Sequence, residues 1–406
     1  MCHNAGMPGP HPRFTTPPFI ESANEMYRIG VDACLLSEKV TGIGRYTSEM
    51  LAALIERDHD WVLYSHRPTM KNWPRHNVKL RTGNLPRRAL RMAWAQSILP
   101  WWASRDDIDL FWAPTHRLPR YLPQRIARVV TIHDLVWKHA GETMRPFSRW
   151  LDAKLMPEAV RLADRVITVS AHTARDLVAE VPEAESKVRV VHLGISALHP
   201  AADMESLKQL GIDRPYFLFV GTLEPRKNLH RLLESYARLP EGIKEGVLLV
   251  IAGGKGWGNV DVHAVAGRLG LSDRIRVTGY VGEELLSTLY THARFLAMPS
   301  LYEGFGLPLV EAMARGTPVL TSNRASMPEV AGEAGFLVDP QDVASIAQGL
   351  QALLTDETLR RNLAQCAKVN AQRFSWQKAA DATLRIFDEA VEERRRKLGQ
   401  RSPGRW

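Results

Sequence analysis

A chain of 406 residues exceeds what one ordinary hydrophobic core organises, so two domains are expected, and 45% hydrophobic with 24% charged residues is the balance of a soluble globular protein. No apolar run reaches the roughly eighteen residues a membrane-spanning helix needs. The net charge of +9 gathers partly at the carboxyl terminus (Arg394, Arg395, Arg396, Lys397, Arg401, Arg405), and no zinc finger or RNA-binding aromatic motif accompanies it, so nucleic acid is not an expected partner.

Residues 1–25 contain His11-Pro12 and Pro17-Pro18, lack the apolar core of a signal peptide, and read as a disordered leader. Cys2, Cys34 and Cys366 are too scattered for metal ligation and fit a reducing compartment, so a cytoplasmic location is expected. From Met26, β-branched runs alternate with helical patterns. Strands are expected at Tyr27–Val31, Trp61–Ser65, Asp109–Trp112, Arg128–Ile132, Arg165–Val169 and Val188–Val191. A helix running to about Glu56 follows the glycine turn Thr41-Gly42-Ile43-Gly44, and Ser170 reads as a helix cap. The stretch Arg87–Trp102 mixes basic residues with Trp94, Trp101 and Trp102. Its apolar stripe either packs on the domain or lies at a membrane interface.

A hinge-like stretch from His199 to Met204, with a short helix ending at Gly211, introduces a second series of strands. These are expected at Tyr216–Val220, Val247–Ala252, Arg274–Thr278, Arg294–Met298, Pro318–Thr321 and Gly335–Val338. Strands separated by helices imply parallel βαβ units buried on both faces. The predicted fold is α/β, with two doubly wound parallel-sheet (Rossmann-like) domains, 26–200 and 201–375, facing a central cleft at their strand carboxyl ends. Ser375 is the expected cap of a last helix, 376–395, that packs back on the first domain, and 396–406 form a basic tail.

The chemistry concentrates after the strands of the second series. Ser300-Leu-Tyr-Glu-Gly-Phe-Gly-Leu-Pro-Leu-Val-Glu311 sets Glu303 and Glu311 eight residues apart around a glycine turn. Gly304 and Gly306 disfavour helix and Pro308 suits a first helical position, so Glu303 is predicted on a loop and Glu311 in the first turn of a helix from about Pro308. Such a loop offers free N–H groups and a helix N-terminus to an anionic ligand. Arg226-Lys227 follow the strand Tyr216–Val220 and precede a helix, which suits a diphosphate clamp; the plainer reading is an exposed basic turn with Asn228 capping the helix. His133-Asp134 follow an apolar strand, so the imidazole is expected to project into the cleft, with a buried, hydrogen-bonded structural histidine as the alternative. His116, after Trp112-Ala-Pro-Thr, is a second cleft candidate. The Gly42-x-Gly44 turn lacks the rest of a dinucleotide fingerprint.

Gly221 to Leu229, Ser300 to Glu311 and Gly316-Thr-Pro-Val319 resemble the nucleotide-sugar half of retaining glycosyltransferase family 4, whose fold is GT-B. The resemblance runs from Met26 to about Ala390 and includes Thr41–Tyr46, Ile132-His133-Asp134-Leu135 and Phe374-Ser375-Trp376. The His-Asp-Leu turn and the run from Gly221 to Asn228 are similar to the bacterial mannosyltransferase-like subgroup. The resemblance makes 26–200 the acceptor side and 201–375 the nucleotide-sugar side. It implies that Glu303 lies beside the transferred sugar, that Glu311 holds the ribose, and that Arg226 and Lys227 neutralise the diphosphate. Gly304, Phe305, Gly306 and Leu307 would contact sugar and phosphates through their backbone. Gly279, Tyr280 and Val281 would line the base pocket, while Gly221, Gly253 and Gly254 would form donor-side turns. Across the cleft, Gly42 and Gly44 would approach the donor phosphates. His133 would approach the sugar or acceptor, with Asp134 and His116 on the acceptor side.

No Asp-x-Asp element of the metal-dependent type follows a strand, so no metal and no cofactor are expected beyond the nucleotide-sugar co-substrate. The implied reaction moves a hexose, first choice mannose from GDP-mannose, to a growing lipid-linked surface-polysaccharide or O-antigen glycan with retention. UDP-glucose and dTDP-rhamnose are alternative donors, and a nucleotide-sugar epimerase, a glycoside hydrolase or a non-catalytic glycan-binding protein are alternative readings. The basic and Trp-rich segments suggest peripheral contact with an anionic membrane on its cytoplasmic face, at about 1 kcal/mol per basic residue.

Overall fold

The computed structural model describes residues 25–37, 42–73, 75–84, 91–196, 199–254, 256 and 261–399. The expected leader as far as residue 24, Thr41, Arg87 and Arg88, and the tail beyond Gly399 lie outside the described residues. Backbone contacts divide the described chain into two units. The amino-terminal unit holds 25–135, 150–194 and 375–399, and the carboxy-terminal unit holds 136–149 and 195–374. The segment 136–149 therefore groups with the later sequence, which no single cut near residue 200 reproduces.

In the amino-terminal unit β1 (Arg28–Asp32), β2 (Asp60–Ser65), β3 (Val78–Thr82), β4 (Leu110–Ala113), β5 (Ala127–Ile132), β6 (Arg165–Thr168) and β7 (Val188–Val190) form one sheet in the order β3-β2-β1-β4-β5-β6-β7. Every pair is parallel. The fully buried β4 and β5 are continuous apolar or β-branched runs apart from Arg128, as strands covered on both faces require. Only β3 was not expected from the sequence. It is a sheet edge, Val-Lys-Leu-Arg-Thr, with polar residues alternating, and its Lys79 and Arg81 converge on the buried Asp106 carboxylate at 2.8 and 2.5 Å. The helix Trp376–Lys397 packs on this unit. Ser375 Oγ accepts from the Lys378 N–H at 3.4 Å, and Gly194 lies so close to Trp376 that a Cβ would sit 2.2 Å from its backbone nitrogen.

In the carboxy-terminal unit β8 (Tyr216–Val220), β9 (Leu248–Ala252), β10 (Ile275–Gly279), β11 (Leu296–Met298), β12 (Val319–Ser322) and β13 (Gly335–Val338) are ordered β10-β9-β8-β11-β12-β13, again all parallel. Phe217, Phe219, Leu249, Ile251 and Phe295 fill its core, with the Phe217 and Phe295 rings stacked 5.4 Å apart. Strand order reverses between β8 and β11, the crevice where doubly wound sheets bind ligands. The residues after β8 and after β11 are the ones the sequence singled out.

Candidate active site

Beyond β8 the chain makes a short 3-10 turn, Pro225–Lys227, and Asn228 then enters the left-handed region at φ 63° before the helix Leu229–Ala237. Asn228 makes no side-chain cap. Its buried amide donates instead to the carbonyls of Pro299 (2.9 Å) and Pro340 (2.6 Å), pinning the β8 turn to the chain beyond β11 and β13. The Leu301 N–H donates to the Arg226 carbonyl at 2.8 Å, a second tie. These bonds set Arg226 and Lys227 against Glu303.

Glu303 is buried, and both cations close on it: Arg226 Nη1 lies 2.5 Å from Oε2 and Lys227 Nζ 2.5 Å from Oε1. Burial alone would raise the Glu303 pKa, but the Arg226 and Lys227 charges and hydrogen bonds outweigh it and hold the carboxyl at about 2. Lys227 is buried too, which pulls its pKa down against the opposing pull of Glu303. The turn is thus an interior ion cluster and not an exposed basic loop.

The loop from Gly304 to Gly306 is buried and held from outside: Ser326 Oγ donates to the Glu303 carbonyl at 2.8 Å, and Phe305 meets Phe374 edge-on at 5.6 Å. Gly306 has φ 97°, a left-handed conformation that favours glycine, and precedes the helix Leu307–Ala314. The helix begins one residue before Pro308, which makes Glu311 its fifth residue and carries it just past the first turn where it was expected. The buried Glu311 carboxylate accepts from Tyr290 Oη at 2.8 Å.

The turns after β8, β9 and β10 interlock through backbone. Gly221 N–H donates to Ala252 O (3.0 Å), Gly253 N–H to Gly279 O (2.8 Å), and Leu223 N–H to Gly254 O (3.0 Å). A Cβ on Gly253 would lie 1.9 Å from the Gly221 carbonyl oxygen. These turns wall a cavity of about 630 Å³ lined by Leu223, Gly253, Asp261, His263, Gly279 and Tyr280 among others. Tyr280 is left 71% exposed, and Val281 is not among the lining residues.

In the amino-terminal unit His133, His116 and Asp134 come together, and Tyr46, on the helix after Gly42, joins them. The His133 ring is buried. Its Nε2 faces the Pro114 carbonyl at 2.9 Å, which assigns the proton to that nitrogen, and its ring packs edge-on to Tyr46 at 4.6 Å. The His133 backbone N–H donates to His116 Nε2 at 3.0 Å. Burial and then the nearby His116 charge lower the His133 pKa to about 3, so the ring is neutral near pH 7. The imidazole expected to project from the strand end into the cleft is buried and hydrogen-bonded, the alternative named for it, because the Pro114 carbonyl and the edge of Tyr46 are within its reach. Gly42 has φ 50° with open space around it, whereas Gly44 is already inside the helix Ile43–Leu54.

Sequence reasoning did not reach Asn228 as a tether, Tyr290, Ser326 or the cavity-lining Asp261 and His263. A tyrosine or serine within a helical pattern carries no local signal of the loop it touches. Among the described residues no group of three or more His, Cys, Asp or Glu side chains is arranged to hold a metal, and no helix is long and apolar enough to cross a membrane.

Residues 40–197 match the family model described as Glycosyltransferase Family 4, and 204–370 match Glycosyl transferases group 1. The chain is 32% identical over 293 residues to O-antigen chain mannosyltransferase B of Escherichia coli, across 70% of this chain and 76% of that one. It is 32% identical over 272 residues to D-inositol 3-phosphate glycosyltransferase of Streptomyces avermitilis, across 64% of this chain and 58% of that one. Its fold is similar to that of sucrose-phosphate synthase from Thermosynechococcus elongatus, with a TM-score of 0.73 at 21% identity over 89% of this chain and 98% of that one. The chain belongs to glycosyltransferase family 4, with the two Rossmann-like domains of the GT-B fold, and is similar to a bacterial O-antigen mannosyltransferase.

Proposed function

We propose that this glycosyltransferase moves mannose from GDP-mannose, with retention of anomeric configuration and without a metal ion, onto a growing lipid-linked glycan of the O-antigen type. The observation that carries the reading is the cluster of Arg226 with the buried Lys227 and Glu303 at the strand-order reversal of a parallel sheet. A nucleoside diphosphate leaving group gathers negative charge as the anomeric C–O bond breaks, and preorganised cations in a dry site stabilise it. Arg226 and Lys227 fill that role, assisted by the amides of Gly304 to Leu307 at a helix N-terminus. Glu303 takes the hydroxyls of the transferred sugar, Glu311 the ribose, and the 630 Å³ cavity the base. The acceptor hydroxyl attacks the same face that the phosphate leaves. Its proton passes to the departing phosphate oxygen, so no protein carboxylate forms a covalent bond. His133, His116 and Asp134, with Gly42 and Gly44, form the acceptor side, where a neutral His133 acts as a fixed dipole rather than as a proton shuttle.

Mannose as the donor sugar rests on the similarity to the E. coli O-antigen enzyme. The membrane part of the proposal has its own support in the helix Arg91–Arg105. Trp94 is buried there while Trp101 is 51% exposed with the Arg105 guanidinium 4.0 Å from its ring centroid, an aromatic and cationic pair suited to a lipid headgroup layer on the cytoplasmic face.

A thermal-shift comparison of GDP-mannose, UDP-glucose and dTDP-rhamnose tests the donor, since a ligand at 100 times its Kd stabilises by about 2.7 kcal/mol. The largest shift is expected with GDP-mannose, and a larger one with either other sugar replaces it. NMR of the glycan product is expected to show the α-anomer, with turnover unaltered by a chelator. A β-linked product overturns retention, and loss of turnover restored by a divalent cation overturns metal independence. The family leaves the hydrolase, epimerase and non-catalytic readings without support.

A further inference from the structure

Glu303 is braced on both sides by groups outside its ion pairs. On one side stands Tyr302, whose buried ring packs with Val136 and Ala140 while Met144 and Ala325 cover the same cluster. The exposed imidazole of His139 stacks on that ring, with centroids 5.2 Å apart and planes 18° apart. On the other side Ser326, the neighbour of Ala325, holds the Glu303 carbonyl at 2.8 Å. Ala325 has φ 55°, a left-handed conformation unfavourable for a residue with a Cβ, so its turn is held by what surrounds it. The helix Val136–His139 and the following Ala140 thus pack on Tyr302, the residue before Glu303, and the same cluster takes in Ala325, the residue before Ser326.

We propose that this stretch is a positioning element for Glu303, acting through the stack of His139 on Tyr302. The inference rests on the reading that Glu303 binds the transferred sugar. Arg226 Nη1 contacts both the Tyr302 carbonyl (3.4 Å) and the Glu303 carboxylate, so a shift of the Tyr302 backbone displaces the sugar-binding acid together with one of the diphosphate cations. His139 is not a catalytic residue here. Its ring is a flat cover that excludes water from one face of Tyr302 and fixes the angle at which the loop enters the site. An aromatic ring of similar size does the same work, which separates this role from a protonic or hydrogen-bonding one.

The test uses the full chain and whichever of GDP-mannose, UDP-glucose and dTDP-rhamnose the wild-type enzyme consumes fastest. His139→Ala and Tyr302→Leu are expected to lower kcat about 10-fold or more, as misplacement by about 1 Å in an active site does, with a smaller loss of nucleoside diphosphate affinity by calorimetry. His139→Phe is expected to restore most of the loss. Wild-type kcat in folded His139→Ala overturns the proposal, and so does an equal loss in His139→Phe. The Glu303→Gln variant reads the underlying assignment separately: wild-type turnover there removes Glu303 from the sugar, whereas a low kcat in Glu303→Gln beside a normal one in His139→Ala removes only the positioning role.

Discussion

Lys227 and Glu303 meet inside the protein with Nζ 2.5 Å from Oε1, each less than a tenth exposed. An ammonium so placed is already desolvated, so in the proposed diphosphate role it needs little further desolvation as charge develops on the leaving group. Lys227→Ala is expected to lower kcat about 10²–10³-fold, the usual cost of one lost charge-stabilising donor. Release of nucleoside diphosphate by purified variant measures it, and near-normal turnover removes Lys227 from the diphosphate role.

The same carboxylate makes an acid-stability prediction. Glu303 titrates at about 2 in the folded protein against an ordinary value of 4.5. The unfolded chain therefore binds the proton first, and the stabilisation is complete above pH 4.5 and lost as pH falls from there toward 2. Between those limits wild type is expected to lose more stability than Glu303→Gln does, read as the change in urea midpoint with pH. Parallel slopes for the two proteins contradict an ionised, clasped Glu303.

His133 gives a second window with the same sign. Its folded pKa of about 3 lies below the ordinary 6.5, so the unfolded state takes up the proton between those values and stability falls as pH drops through them. The slope from one proton is at most about 1.4 kcal/mol per pH unit. His133→Gln keeps a donor for the Pro114 carbonyl without titrating, and is expected to flatten the fall between pH 6.5 and pH 5. The pH–rate profile of wild type is expected to carry no inflection from His133 in that range; one that vanishes in His133→Gln contradicts a neutral ring.

Tyr290 donates to Glu311 at 2.8 Å from the buried side of the helix Glu283–His292, and its own carbonyl accepts from Thr317 Oγ1 at 2.8 Å. Tyr290→Phe removes only the hydroxyl. A hydrogen bond to a charged acceptor contributes about 1.5–3 kcal/mol, of which a part is felt at the ligand. If Glu311 holds the ribose as proposed, donor KM is expected to rise several-fold with kcat little changed. Glu311→Ala is expected to act in the same direction and more strongly. Unchanged nucleotide affinity by calorimetry in both variants contradicts a ribose contact.

What the sequence made legible follows from where the determining forces are local. The strand Tyr216–Val220 is five buried apolar residues, and its bounds were readable to the residue. The edge strand Val78–Thr82 was not, since alternating Lys79 and Arg81 look like a polar loop until Asp106 is known to receive them. The grouping of Arg226, Lys227 and Glu303 was readable because charged residues directly after neighbouring buried strands must share one sheet edge. Their support was not. Asn228 looks like a helix cap, yet its amide reaches carbonyls 71 and 112 residues away. The His133 ring follows the same rule: its strand-end position was visible, whereas its direction depends on Pro114 and Tyr46.

The carboxyl-terminal helix offers the last prediction. Asp164, with its side chain fully buried, accepts from Arg394 Nη2 (2.7 Å), from Lys397 Nζ (3.1 Å) and from the backbone N–H of Arg128 (2.9 Å). Arg165 and Arg189 meet Glu389 on the same helix at 2.8 Å each. Basic residues in the last turn also oppose the negative end of the helix dipole, so removing Asp164 leaves the dipole term in place and deletes only the buried acceptor. Asp164→Ala strands Arg394, only 14% exposed, without its carboxylate, and breaking a buried pair from one side costs about 3–5 kcal/mol. The urea midpoint is expected to fall accordingly. Calorimetric affinity for nucleoside diphosphate is expected to stay the same, because the cavity and, apart from it, Arg226 and Lys227 belong to the carboxy-terminal unit and not to the one this helix completes. A loss of affinity equal to the loss of stability contradicts that separation.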